Sequence, residues 1–206
     1  MKSNRILLTL WVIMLVATLL AAGDPWTNKP FTEWTAEEVA AINKNSPWAK
    51  TLLGNSDLPA QVTVQWASSL TLRQAAAREG QLQGTMTQQQ VAQLLAMGFQ
   101  QYVIAVRGEG VTTLISGYAE LTEEALRRST YLQPKDSQRK IYPLGMEVNL
   151  EGKEPTATFY FPREDSGQRA IGLSEKEVDF LWQSEKNRLR VTFDLTQMTR
   201  SGKPDL

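Results

Sequence analysis

The chain has 206 residues, 42% hydrophobic and 21% charged, a composition that supports one folded domain and not a disordered tract. Its 22 basic side chains balance 22 acidic ones, so the basic surface that nucleic-acid phosphates require is not in view, and no nucleic-acid partner is expected. It has no Cys and no His, which excludes disulfides, thiol nucleophiles, Cys- or His-based metal sites and Ser-His-Asp catalysis.

Three chemistries survive that filter: an all-carboxylate site for a hard cation, a Ser-Lys pair, or two carboxylates working as acid and base. No cofactor and no metal site is expected.

Residues 1–23 have the layout of a secretory signal: Lys2 and Arg5 first, then an uncharged apolar run over 6–22, then Ala21, Ala22 and Gly23 as small exit residues. Cleavage before Asp24 is the expectation. The alternative is an uncleaved anchor, since about 17 apolar residues sit at the lower limit for a membrane span. A lipoprotein is excluded because that attachment needs a Cys. Loss of 1–23 removes Lys2 and Arg5, so 20 basic side chains would face 22 acidic ones in the exported part. Its location is expected to be extracytoplasmic, with membrane contact only through 6–22 if they stay attached.

Residues 24–34 are rich in Pro and aromatic side chains without a clean period, which predicts an extended arm with Trp26, Phe31 and Trp34 packed on the domain. Thr35 with Glu38 three residues later forms a capping box, opening a helix with Val39 and Ile42 on one face. Ser46-Pro47 closes that helix, because a residue before Pro avoids the helical region. Together 24–60 are expected to form this Trp/Pro-rich arm with its one helix, leaving 61–206 as the domain proper.

Alternation of Val62, Val64 and Trp66 predicts a strand over 61–68. A helix follows over 70–78, stopping at Gly80. Residues 87–97 give a second capped helix, with Thr87 and Gln90 as the box and Val91, Leu94 and Leu95 as the apolar stripe. Residues 101–107 read as a strand, and Gly108, Gly110 and Gly117 then predict a loop with a short strand at most. Thr122 caps a helix over 122–128 with Ala125 and Leu126 turned inward.

The remainder reads as β over 146–150, 156–161, 178–183 and 189–195, the last two forming a hairpin through 184–188; residues 175–182 also fit a helix. Helices early and strands late predict an α+β fold: a single domain, a largely antiparallel sheet with a few helices on one face.

Several patterns invite a chemical reading. Trp26, Trp34 and Trp48 are the candidate ligand- or partner-binding residues, since an exposed indole face stacks on sugars and other ligands; burial in a core is the competing reading. Ser137 and Lys140 match S-x-x-K, but lie in a polar stretch after Pro134, without the partner motifs of the acyl-enzymes. The acidic pairs Glu37-Glu38 and Glu123-Glu124 sit in first helical turns, where they favour the helix dipole, and Glu164-Asp165 falls in a turn. Gly108-Glu109-Gly110 follows a strand but lacks the remaining residues of a phosphate loop. None of these is expected to be catalytic.

Motifs taken together point to a relationship. Phe31-Thr32-Glu33-Trp34-Thr35 precedes Glu38-Val39, then Ser46-Pro47-Trp48-Ala49; later come Tyr102-Val103-Ile104-Ala105-Val106 and Phe159-Tyr160-Phe161-Pro162-Arg163. Val178, Phe180, Phe193, Leu195, Met198, Gly202 and Lys203 complete the pattern. This arrangement resembles a family of uncharacterised exported bacterial proteins, over nearly the whole chain beyond residue 23. The resemblance implies export and a single domain, and it brings no activity or site residue. The expected function is therefore a non-enzymatic exported domain that binds a protein, an envelope component or a small ligand. The alternative is an extracytoplasmic hydrolase that uses carboxylates or a Ser-Lys pair on cell-wall or carbohydrate substrates.

Overall fold

The computed structural model describes residues 24–120, 122–151 and 154–206; the signal or anchor expected over 1–23 lies outside them. The chain divides into two compact units, Met1–Trp34 and Thr35–Leu206.

In the first unit the extended arm expected over 24–34 is instead two helical turns. Helix α1, Pro25–Asn28, has Pro at its first position, where the ring's fixed φ suits a helix and its missing N–H costs nothing. A 3-10 turn, Phe31–Glu33, follows. Trp34 is fully buried, its Nε1–H donates to the Pro25 carbonyl at 3.1 Å, and its ring meets Phe31 edge-on at 6.4 Å. A buried indole N–H needs an acceptor, and this one bends the segment back on itself.

The second unit begins at the capping box. Thr35 N–H donates to Glu38 Oε2 at 2.8 Å and Glu38 N–H to Thr35 Oγ1 at 3.3 Å, opening α2, Ala36–Lys44, with Val39 and Ile42 buried as expected. Strands β1, Asn45–Ser46, and β2, Ala49–Leu52, flank Pro47 and pair with each other. They belong to the main sheet, so the arm expected to reach residue 60 ends at Trp34.

That sheet is antiparallel, ordered β1-β2-β3-β4-β7-β6, with β3 Val62–Trp66, β4 Gln101–Arg107, β6 Gly145–Asn149 and β7 Thr156–Pro162. A second sheet joins β11, Arg188–Asp194, to β10, Glu177–Gln183, to β5, Thr130–Pro134. Register decides how they meet. Trp66, Ile104 and Phe159 lie opposite one another across the large sheet, as do Tyr102 and Phe161. In the small sheet Phe180 faces Val191 and Leu132, and Val178 faces Phe193.

These two apolar faces pack together: Phe159 meets Trp182 at 5.0 Å and Phe180 at 5.7 Å, and Trp66 meets Phe193 at 5.3 Å. Tilted and edge-on pairs of this kind contribute about 0.5–1.5 kcal/mol each beyond their buried area. The fold is thus α+β, but with two stacked sheets where one was expected. The alternative helix over 175–182 does not form, and β10, Glu177–Gln183, takes its place.

Helices cover the other face of the large sheet. Helix α3, Leu70–Leu82, lies over Thr63 and Gln65, and Gln65 Nε2 donates to the Asn43 carbonyl at the end of α2. Gly80 does not stop α3; it is buried inside it beneath the Met86 side chain. Helix α4, Gln88–Ala96, has the expected Thr87–Gln90 capping box, but of its stripe only Val91 is buried, with Leu94 and Leu95 half-exposed.

Residues 109–116, expected as a loop, form helix α5, Glu109–Ser116. Gly108 starts it at φ 110°, a conformation that disfavours any side chain, and a Cβ there would stand 2.9 Å from the Gln61 carbonyl oxygen. Val111, Leu114 and Ile115 are buried, and this burial outweighs the low helix propensity of Gly110. Helix α6, Glu123–Ser129, starts from the Thr122 cap with Leu126 buried, both as expected.

Two short ribbons complete the unit: β8, Glu164–Asp165, with β9, Gln168–Arg169, and β12, Thr199–Arg200, with β13, Lys203–Pro204. Among the described residues no helix is long and apolar enough to cross a membrane.

Candidate functional site

Where the chain leaves β9 and β11, three segments enclose a pocket of about 390 Å³. This lies within the range that small ligands occupy.

The first segment is the loop from Arg169 to Lys176. Arg139 Nη2 donates to the carbonyls of Arg169 and Ala170 at 3.3 and 2.8 Å, and Ala170 N–H donates to the Arg163 carbonyl at 2.8 Å. Its far end is held by Glu175, whose two carboxylate oxygens accept from the N–H groups of Asp136 and Ser137, each at 3.0 Å. Ile171, at 3% exposed, forms part of the floor; Leu173, at 74%, stands at the lip.

The second segment is the end of β11. Leu195 N–H donates to the Lys176 carbonyl at 2.8 Å, which seats the Leu195 side chain in the floor. Asp194 closes a tight turn: Thr196 donates to it from Oγ1 at 2.5 Å and from N–H at 2.9 Å, and Gln197 Nε2 does so at 2.8 Å. The Thr196 hydroxyl bond leads these in holding the Asp194 carboxyl below the usual carboxylate range.

The third segment is 199–206. Arg163 organises it, donating from Nη2 to Leu206 O at 2.6 Å and from Nε to Phe99 O at 3.1 Å, with its guanidinium 4.5 Å over the Tyr102 ring. Tyr102 is almost fully buried at the back of the pocket. Burial raises its phenol above the ordinary value while Arg163 pulls the other way. The phenol is neutral at pH 7 and offers an apolar ring edge.

A second groove, about 350 Å³, runs between α3 and the outer face of the large sheet. Its polar groups are largely committed to the fold. Arg73 Nη1 donates to the carbonyls of Leu95 and Met97 at 3.1 and 2.7 Å, capping α4, and Glu79 accepts from Asn43 Nδ2 at 3.2 Å and from Gln83 Nε2 at 3.3 Å. The deeply buried Asp179 is likewise accounted for, by Arg190 Nη2 at 2.5 Å and Thr192 Oγ1 at 2.6 Å.

The residues singled out from sequence are not brought together. Trp34 and Trp48 are fully buried and present no stacking face; Trp26 is half-buried in α1. Trp48 instead donates from Nε1 to the Asp205 carbonyl at 2.7 Å.

Ser137 lies in the turn 135–137, away from any helix start, and Lys140 Nζ sits 4.4 Å over the Tyr131 ring. Glu38 completes its capping box, Glu124 pairs with Arg128 on the α6 surface, and Asp165 pairs with Arg139 at 3.2 Å. Gly108 and Gly110 spend their N–H groups on the carbonyls of Pro155 and Gln61, so they cradle no phosphate. The signal missed in the sequence was the short apolar cluster Ala170-Ile171-Gly172-Leu173 between two polar stretches.

Among the described residues no group of three or more carboxylates is placed to hold a metal ion. The chain matches no protein-family model, no curated protein and no solved structure.

Proposed function

We propose that the chain is an exported, non-catalytic binding domain whose recognition site is the pocket between the 169–176 loop, the end of β11 and residues 199–206. The observation that carries this reading is Leu173. It is 74% exposed beside a concave floor of Tyr102, Ile171 and Leu195, an arrangement that exposes apolar surface where a partner would cover it. The acidic pairs support binding over hydrolysis: none of Glu37, Glu38, Glu123, Glu124, Glu164 or Asp165 lines this pocket. Glu175 does, but both its oxygens are held by backbone N–H groups. Export rests on the positive, apolar and small-residue plan of residues 1–23.

The test is saturable binding of a neutral apolar dye, Nile red, to the protein as isolated from expressing cells. Wild type should bind at a single site that Leu173→Asp weakens at least tenfold and Leu53→Asp, altering an exposed leucine outside the pocket lining, leaves intact. Equal binding by wild type and Leu173→Asp would reject the pocket as the recognition site.

A further inference from the structure

The pocket's charges go further than its shape. The one carboxylate side chain in its lining, Glu175, already accepts from two backbone N–H groups. The basic side chains in the lining, Arg169 and Lys176, are both exposed, and among the described residues neither has a salt-bridge partner. Of the nearby carboxylates, Asp165 pairs with Arg139 and Glu177 with Lys135 at 3.3 Å, Glu164 stands opposite Arg169 in the β8–β9 ribbon, and Asp194 is hydrogen-bonded within its own turn. The pocket therefore combines an apolar floor, an apolar lip and two exposed cations outside any salt bridge among the described residues.

We infer that this pocket takes a small amphiphilic anion, an apolar chain ending in a carboxylate, with the chain over Ile171, Leu195 and the Tyr102 ring edge and the head between Arg169 and Lys176. Each half explains what the other does not. An apolar ligand alone leaves two cations beside the mouth without a role, and an inorganic anion alone leaves Leu173 and the floor uncovered. A charge-assisted contact from Arg or Lys to a carboxylate is roughly twice as strong as a neutral hydrogen bond, so the head group adds both affinity and orientation. Folding Leu173 over the chain would remove the largest exposed apolar side chain of the loop from water.

This inference rests on the pocket being the recognition site, and the experiment separates the two. Methyl-labelled protein, isolated from expressing cells, is titrated with octanoate, with octanol and with inorganic phosphate, following the methyl signals of Ile171, Leu173 and Leu195 and using Leu53 as the remote control. Octanoate should shift the three pocket signals saturably and bind at least tenfold more tightly than octanol. The double variant Arg169→Gln/Lys176→Gln should bind octanoate no better than octanol while its affinity for octanol stays as in wild type. Octanol binding as tightly as octanoate, or an unchanged octanoate affinity in the double variant, overturns the anionic head while leaving the pocket as a binding site. Phosphate binding as tightly as octanoate overturns the apolar chain. Silence of all three methyl signals with every probe overturns the inference and the pocket together.

Discussion

The indole Nε1 of Trp48 donates a 2.7 Å hydrogen bond to the backbone carbonyl of Asp205, 157 residues further along the chain. The Asp205 side chain meanwhile accepts from Leu70 N–H at 2.6 Å, Thr71 N–H at 3.0 Å and Thr71 Oγ1 at 2.6 Å. One residue thus caps helix α3 with its carboxylate and is moored by Trp48 through its main chain. Both ends of the second unit are tied to the same helix start.

From this follows the first prediction. Asp205→Ala leaves three donors at a largely buried helix terminus without their acceptor, and should lower stability by about 2–3 kcal/mol. Asp205→Asn keeps one acceptor oxygen and should fall between that variant and wild type. Urea unfolding followed by tryptophan fluorescence measures both. A loss under about 0.5 kcal/mol for the alanine variant would mean that the cap does not stabilise the fold.

Gly117 ends helix α5 against the hairpin turn that joins β10 to β11. A methyl group there would lie 2.1 Å from Ser184 Oγ and 3.0 Å from Asn187 Nδ2, and Ser184 is itself buried. Ser184 N–H and Oγ both reach the Asn187 carbonyl, so that turn has little room to yield. Gly117→Ala should cost about 1–3 kcal/mol by overpacking, against the small gain the same change brings at an open helix end. A thermal melt that matched or exceeded wild type would show that the turn moves freely.

The difference between what was legible and what was not follows the range of the forces. Thr35 with Glu38, Thr87 with Gln90, and Thr122 set helix starts through bonds three residues apart, so the sequence displays them. The alternation of Val62, Val64 and Trp66, and of Val178, Phe180 and Trp182, displays the strands in the same way. Helix α5 was hidden because its start depends on Gly110 N–H reaching the Gln61 carbonyl at 3.0 Å and on three apolar side chains buried by strands elsewhere in the chain. The second sheet was hidden because stacking of Phe159 on Trp182 is a fact about two distant strands. The pocket was hidden for the same reason: Tyr102, Ile171, Leu195 and Leu206 share no local pattern. An indole carries the same signature in a sequence whether it is displayed or buried, and only the structure shows that Trp34 and Trp48 are buried.

Thr130 offers a change in the opposite direction. Its side chain is fully buried, opposite Trp182 in the small sheet, and among the described residues its Oγ1 has no hydrogen-bond partner. Replacing the hydroxyl by a methyl of similar size removes a desolvated polar atom and keeps the volume. Thr130→Val should stabilise by about 1 kcal/mol, read as a higher urea midpoint at unchanged slope. Destabilisation would imply that the hydroxyl is hydrated in solution.

Alkaline pH should weaken the fold in a defined window. Burial raises the phenols of Tyr118 and Tyr102 above the ordinary value of 10.0, against weaker opposing contributions from the Ser129 and Trp182 hydrogen bonds at Tyr118 and from Arg163 at Tyr102. An acid whose folded value is raised favours the folded state while both states keep the proton. Stability is therefore level below the unfolded value and declines from there up to the folded values. Urea midpoints should hold steady up to about pH 9 and fall beyond pH 10. Tyr118→Phe removes one ionising group and the acceptor of Trp182 Nε1, bonded at 2.9 Å. That variant should be weaker at neutral pH yet decline less steeply above pH 10; an alkaline slope identical to wild type would show that Tyr118 takes no part.

Export is the remaining expectation, and it concerns residues 1–23. Small side chains at Ala21 and Gly23 match the two places a signal peptidase reads, and Pro25 after Asp24 keeps a helix from running on through the cut. Cells expressing the whole chain should yield an extracytoplasmic product whose intact mass corresponds to a start at Asp24. Replacing Ala21 by a bulky charged residue, Ala21→Arg, should block the cut and leave the full-length protein in the membrane fraction. A full-length wild-type product in that fraction would make 6–22 an anchor. A product retained in the cytoplasm would overturn export itself.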